Sequence, residues 1–257
     1  MKYFKLLFFI VLIVSLNTNA QQAKDTRRSG AEFMSPATQA MQNDDTQNPG
    51  MLWVKQGETL WNKPEGADSK SCASCHNAAN SSMRGVATKY PKFDTKISSP
   101  TNLSKQILGC RTEQQKASPL AYESQALLSL EACVAHQSRG LPIAASTDPK
   151  LKLPIENGKK LYMQPLGQLN LSCAQCHDQL AGQRLGSAPI PEAHPNGYPI
   201  YRLEWQGLGS LQRRLRNCMS GVRAESFAYG SKELIEIELY LVHRANGMLM
   251  ETPGVRP

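Results

Sequence analysis

The sequence predicts a mainly α-helical protein folded as two tandem domains of one kind, preceded by a removable leader and a polar arm. Three observations predict this. A five-residue cysteine–histidine motif occurs twice, 101 residues apart. The residues around the two copies follow the same order. Each copy is followed, further on, by a stretch with apolar residues at helical spacing.

Composition already excludes several classes. A chain of 257 residues holds one large domain or two small ones. With 40% hydrophobic and 19% charged residues, disorder throughout is excluded. The absence of a fibrous repeat and of a second long apolar run excludes collagen, coiled coil and polytopic membrane protein.

The chain opens with Lys2 and Lys5, an almost wholly apolar run from Leu6 to Leu16, and Thr18-Asn19-Ala20. That order predicts a secretory signal peptide, residues 1–20, cleaved after Ala20; about eleven apolar residues are too few to span a bilayer. Export to the periplasm is therefore expected, and losing two lysines takes the net charge from +8 to +6. Residues 21–55 form the arm. They are rich in Gln, Asp, Asn and Thr as far as residue 50, and are expected to be flexible or draped over the surface.

Seven cysteines follow, at 72, 75, 110, 133, 173, 176 and 218. An odd, sparse set does not suit a secreted disulfide scaffold. Four of them fall in Cys72-Ala73-Ser74-Cys75-His76 and Cys173-Ala174-Gln175-Cys176-His177. Both are C-x-x-C-H, the attachment site of a c-type haem. Two thiols add across the vinyl groups of one porphyrin, and the adjacent imidazole reaches the iron. Composition yields about 0.004 chance matches in a chain of this size. Paired C-x-x-C zinc sites do not require a histidine after each pair, and a thioredoxin-like pair does not explain two distant copies. Two covalent haem c groups are expected, on Cys72 and Cys75 and on Cys173 and Cys176, with His76 and His177 as iron ligands.

The repeat extends well beyond the motifs. Gly57 and Trp61 precede the first, and Gly158 and Tyr162 precede the second, at the same offset of 101. A lone cysteine follows each, Cys110 and Cys218, at an offset of 108. Ser124 and Ser231 then open amphipathic runs that close at His136 to Gly140 and at His243 to Gly247, an offset of 107. Ser231 is a good N-cap, Glu233 and Glu236 suit the first turns, and Gly247 is the stop. Leu234, Ile237 and Leu241, widened by Ile235, Leu239 and Val242, mark a core-packed helix. Two cytochrome c-like domains fit, residues 56–143 and 154–257, joined through a linker at 144–154.

Each iron needs a second ligand. Outside the motifs the histidines are His136, His194 and His243. His136 and His243 sit at helix ends, where they suit the dipole, and His194 has no repeat counterpart. Met83 and Met163 have none either. Cys110 and Cys218 are the matched pair, far enough along the chain to cross to the opposite haem face; a disulfide involving them, with or without Cys133, or plain burial, are the alternatives. Thiolate ligation lowers a haem potential. Cys133 falls opposite Tyr240 in the repeat and is assigned to packing alone.

Arg213, Arg214 and Arg216 cluster just before Cys218, and Arg223 follows. If this stretch is helical, Arg214 shares a face with Cys218. Cations there favour a thiolate and hold an oxyanion; a solvated basic face or pairing with haem propionates accounts for them equally well. Four propionates reduce +6 to about +2, which argues against nucleic-acid binding.

The tandem motifs together with Arg214-Leu215-Arg216-Asn217-Cys218-Met219-Ser220-Gly221-Val222-Arg223-Ala224-Glu225 resemble the SoxA family, haem subunits of the SoxAX cytochromes of thiosulfate oxidation. Leu128 to Gly140, and Arg244 through Gly247 to Arg256, are similar to it too. The resemblance implies an L-cysteine S-thiosulfotransferase that works with SoxX, a small monohaem cytochrome. It couples thiosulfate to a cysteine of the carrier protein SoxYZ and passes electrons to c-type cytochromes. It also implies that Cys218 ligates iron and carries a persulfide at the active site, that Arg214 binds substrate, and that His76 and Cys110 ligate the first haem. A non-catalytic dihaem electron carrier and a dihaem peroxidase are the competing classes.

Overall fold

The structure, a computed structural model, describes residues 25–257; the expected leader lies outside them. A 3-10 turn at Gly30–Phe33 and helix α1 (Pro36–Asn43) come first. The first domain contains α2 (Met51–Asn62), α3 (Cys72–His76), α4 (Ala79–Ser82), a hairpin of β1 (Lys92–Asp94) and β2 (Ser99–Thr101), α5 (Leu103–Glu113) and α6 (Gln125–His136). The second repeats the plan with α7 (Lys152–Met163), α8 (Cys173–His177), a small hairpin of β3 (Arg184–Leu185) and β4 (Ala188–Pro189), β5 (Ile200–Arg202), β6 (Gly207–Gly209), α9 (Leu211–Gly221) and α10 (Lys232–Arg244). The closing strand β7 (Gly254–Arg256) pairs parallel to β5, giving the order β6-β5-β7. The protein is mainly helical, as the sequence predicts.

The repeat read from the sequence is a repeat of contacts. Gly57 on α2 faces α6 so closely that a Cβ there would lie 2.0 Å from the Ser129 carbonyl oxygen. Gly158 on α7 meets α10 in the same way, 1.9 Å from the Glu236 oxygen. Cys133 and Tyr240, matched in the sequence, are the next neighbours in each crossing. Only glycine lets these helix axes come so near. The aromatic one turn later then anchors the motif helix: Trp61 Nε1 donates to the Asn77 carbonyl at 2.8 Å, and Tyr162 Oη donates to Asp178 Oδ1 at 2.8 Å. Ser71 and Ser172 cap α3 and α8 by accepting the Ser74 and Gln175 amides.

Between the motif and the lone cysteine, where the sequence shows a loop-rich stretch, the structure places a hairpin and a helix in each domain. Asn102 and Ser210 cap α5 and α9 by accepting the amides of Lys105 and Arg213. Both lone cysteines are therefore helical.

The two domains are fused by a pairing of equivalent segments. After α6 and α10 the chain runs antiparallel to its own counterpart: Ile143 N donates to the Met248 oxygen and Met250 N to the Leu141 oxygen, both at 2.9 Å. Residues 143 and 250 are equivalent in the repeat. Tyr122 stacks on its equivalent Tyr229 with centroids 5.9 Å apart and planes at 12°. Contacts between like positions are the mark of an approximate two-fold relation, here inside one chain. Ala245, Met248 and Met250 accordingly join the core around Trp61 and Val134.

Residues 25–50 drape over the closing segment and are tied to it. Ser29 Oγ donates to Glu251 at 2.8 Å, Asn48 Nδ2 to the Pro253 oxygen at 2.8 Å, and Gln42 Oε1 accepts the Val255 amide at 3.0 Å. The polar composition of the arm is spent on these bonds. Its last residues, from Met51, already belong to α2, whose Val54 is 1% exposed.

Among the described residues no helix is long and apolar enough to cross a membrane. All seven cysteines are free, so none of the disulfides weighed above forms.

Gly158→Ala should lower the unfolding free energy by about 1–3 kcal/mol or more in denaturant titration, since its new methyl meets backbone rather than a movable side chain. Gly221→Ala, with nothing within 4 Å, should stay within about 0.5 kcal/mol. Cys133 is fully buried and burial pushes its thiol up to about 12; at pH 8 it should resist alkylation in the native protein and react only after denaturation, as read by peptide mass spectrometry.

Candidate functional site

Each domain holds a cavity walled on one side by its motif helix and on the other by its lone-cysteine helix. The first, about 470 Å³, has Cys72, Cys75 and His76 on one wall and Cys110 on the other. Val86, Leu103, Ile107 and Val134 supply apolar lining, and Lys70, Lys92 and Arg111 stand among the residues that line it. Cys110 Sγ receives Gln106 Nε2 at 3.5 Å from one turn earlier on α5. Met83 also lines this cavity. An apolar slot with cations among its walls suits a porphyrin and its propionates.

The second cavity, about 130 Å³, is narrowed by the loop at 188–197 and brings His177 and Cys218 together. Here the histidine geometry is specific. His177 Nδ1 lies 2.6 Å from the Pro191 carbonyl oxygen. A carbonyl only accepts, so Nδ1 carries the proton and Nε2 presents its lone pair, the arrangement that metal-bound histidines adopt. Burial pulls this imidazole below its ordinary value, which keeps it neutral. Asp178, next in the chain, is fixed by Tyr162 Oη and by Arg244 at 2.7 Å. These donor sets fit covalently held haem c: in the first domain two thiols and an imidazole line the cavity opposite a thiol, and in the second His177 and Cys218 line it while Cys173 and Cys176, on the same helix as His177, stand outside its lining. No group of three or more His, Cys, Asp or Glu side chains among the described residues is placed to hold a bare metal ion.

The stretch before Cys218 is helical, and Arg214, one turn earlier, lines the same cavity. Of the cluster before Cys218, only Arg214 lines the second cavity. Arg213 stacks on Trp205 at 4.2 Å and Arg216 on Tyr229 at 4.5 Å. Two arginines from elsewhere join Arg214 there: Arg202 on β5 and Arg256 on β7. Arg202 donates from Nε to the Pro257 oxygen at 3.1 Å, and Arg256 reaches Gln42 Oε1 at 2.5 Å. Burial pushes both guanidinium groups below their usual value, Arg202 further through repulsion from Arg214. Neither was legible as a site residue, because a strand residue 16 before or 38 after Cys218 leaves no local pattern.

His194 lines the same cavity, its Nδ1 2.8 Å from the Arg28 oxygen. His136 lies by Asp45 at 4.0 Å, His243 Nε2 sits 3.1 Å from the Ser146 oxygen, and Met163 is exposed. None of these three lines either cavity. Cys218 thus stands in a recess with three arginines, and Cys110 in a larger cavity with two lysines and one arginine.

The chain is similar to known proteins over most of its length. The family model described as the SoxA/TsdA cytochrome c domain matches residues 56–143 and 157–250. The chain is 38% identical over 233 residues to the L-cysteine S-thiosulfotransferase subunit SoxA of Pseudaminobacter salicylatoxidans, covering 90% of this chain and 82% of the relative. It is 35% identical to the corresponding subunit of Rhodovulum sulfidophilum, covering 90% and 81%. The crystal structure of SoxXA from P. pantotrophus superposes with a TM-score of 0.87 at 32% identity, covering 90% of this chain and 87% of that one. The chain is a member of the SoxA/TsdA cytochrome c family, carrying two such domains.

Proposed function

We propose that the protein is an L-cysteine S-thiosulfotransferase subunit, exported to the periplasm, with one haem c in each of two domains at 56–143 and 154–257. The observation that carries this is the pairing of His177 and Cys218 across a recess lined by Arg202, Arg214 and Arg256. That recess combines a haem-type donor pair with a thiol and three cations, which suits an oxidative reaction of an anionic sulfur compound.

The reaction joins two sulfurs. A carrier thiol and thiosulfate form a new S–S bond and release one proton and two electrons. The bound haem c supplies the outlet for those electrons. Arg214, on the face of α9 that carries Cys218, holds the sulfonate oxygens by charge-assisted hydrogen bonds and aims the terminal sulfur at Cys218. Cys218 is the sulfur-bearing group, in persulfide form. His177, oriented by Pro191, is the iron ligand on the motif side; His76 and Cys110 are the pair in the first domain, with attachment through Cys72, Cys75, Cys173 and Cys176. A SoxX-like monohaem cytochrome covers the second site, a SoxYZ-like carrier delivers the thiol, and c-type cytochromes take the electrons.

Three variants test this with thiosulfate, carrier and oxidised cytochrome. Cys218→Ala should abolish coupling while the intact mass still shows two haems. Cys110→Ala should change the spectrum and potential of one haem and leave substantial turnover. Arg214→Ala should lower kcat/KM by about 1.5–3 kcal/mol, the worth of a hydrogen bond to a charged group. Near-normal activity in Cys218→Ala would return the protein to the class of electron carriers.

A further inference from the structure

A third cavity, about 90 Å³, lies where the two domains meet, and neither haem motif accounts for it. Each domain contributes one carboxylate to it from the same place in the repeat, Glu131 on α6 and Glu238 on α10. Ser104 Oγ donates to Glu131 at 2.7 Å. Asn102 Nδ2 donates to Glu238, 6% exposed, at 2.9 Å across the domain boundary. Gln212, the repeat equivalent of Ser104, faces Glu238 as well, and its buried Nε2 has no other partner.

The cavity adjoins both haem pockets. Tyr90 and Leu103 line it and the first pocket; their equivalents Tyr198 and Leu211 line it and the second. A charge placed here is separated from either haem pocket by side chains that line both cavities.

Nothing basic balances the pair. No Lys, Arg or His among the described residues lines the cavity. The charged neighbour is a third acid, Glu123, which accepts the Ser210 Oγ bond at the start of α9, with Arg213 beyond it. The phenols of Tyr90, Tyr122 and Tyr198 face the region, and burial pushes all three upward, so none ionises near neutral pH. Desolvation pushes Glu131 up to about 7 and Glu238 up to about 8, the latter also through Glu131. The two titrate as a coupled pair.

We propose that Glu131 and Glu238 form a redox-linked proton site, taking up a proton from solvent when an electron enters a neighbouring haem and releasing it when the electron leaves. This rests on the two-haem reading above. Each electron adds one negative charge beside the pair. Protonation turns one carboxylate into a neutral carboxyl and cancels that charge. Oxidation by the acceptor cytochrome removes the electron and returns the proton, so no further reactant is consumed. The sign is fixed: reduction favours the protonated form, so the haem potential falls as pH rises through the pair's range.

The test uses the purified holoprotein, its haem count first established by intact mass. Optical redox titration between about pH 6 and 9 should show at least one potential falling with pH, at most tenfold in the reduction equilibrium per pH unit, or about 59 mV for a one-electron couple. Glu131→Gln/Glu238→Gln should flatten that dependence; glutamine keeps the acceptor oxygen for Ser104 and Asn102. Reduced-minus-oxidised infrared spectra give a reading on the wild type alone. A protonated carboxyl band should grow on reduction and be absent from Glu238→Gln. An unchanged pH slope in the double variant, or no carboxyl band in the wild type, overturns the proposal. Fewer than two haems by mass removes the reading beneath it, an outcome visible before any potential is measured.

Discussion

The close crossing of helices at Gly57 and Gly158 is the constraint on which the rest depends. With a side chain at either place the axes must separate, because what stands opposite is the backbone of Ser129 or Glu236. The crossing sets where α2 and α7 end, and Trp61 and Tyr162 on their last turns fix the chain that leaves each motif helix. Each motif imidazole, and in the first domain the two thiols as well, therefore lines a cavity whose other wall is set by α6 or α10 and the cysteine helix beside it. Two small residues thus position two sets of donors. The rule that glycine is poor in helices yields here to the gain from tight packing.

The approximate two-fold relation explains how one protein holds two chemically distinct pockets. The contacts on the axis, Tyr122 with Tyr229 and the antiparallel pairing after α6 and α10, join like to like and keep the domains in fixed register. Away from the axis the copies diverge. The strand β7 exists in the second domain alone and brings Arg256 beside Arg214; β5, its partner, brings Arg202. The first domain has no corresponding third strand, and the cations of its cavity are Lys70, Lys92 and Arg111. Cys110 and Cys218 occupy equivalent helices, but only the Cys218 recess takes all of its Lys/Arg cations from arginines.

Much of this was legible in the sequence because it is local. The C-x-x-C-H motifs, the serine caps, the glycine stops and the offsets of 101, 107 and 108 residues are short patterns, and each corresponds to an element or a contact. Cys133 opposite Tyr240 was correctly placed by counting alone. Direction around a helix was legible where spacing could be counted: Arg214, read on the face of Cys218, lines the cavity, while Arg213 and Arg216 turn to aromatic rings. Less legible was whatever depends on distant strands or on what packs against a helix. Helix α5 was lost in a stretch of turn-forming residues, although Asn102 marks its start. Glu236 read as an acid suited to the first turns of an amphipathic helix and Glu238 drew no reading, whereas α10 is buried almost all round and the two acids are bonded to Asn157 and Asn102.

The N-terminal arm takes on a functional meaning from the same geometry. A guanidinium that points into a recess beside two others is repelled by them, and it needs an acceptor behind it to stay. For Arg256 that acceptor is Gln42 Oε1, whose other bond is to the Val255 amide, so one arm residue holds both the strand β7 and its arginine. Glu251, 3.9 Å from Arg256, adds the nearest opposite charge and is itself bonded by Ser29 and Gln42. Ordering the arm has an entropic cost, offset by its bonds to β7 and the residues just before it and by others to Glu192, His194, Arg244 and Arg139. The arm acts as the outer support of the basic recess, and the second pocket is built from three stretches of chain: the arm, the α8–α9 region and the closing strand.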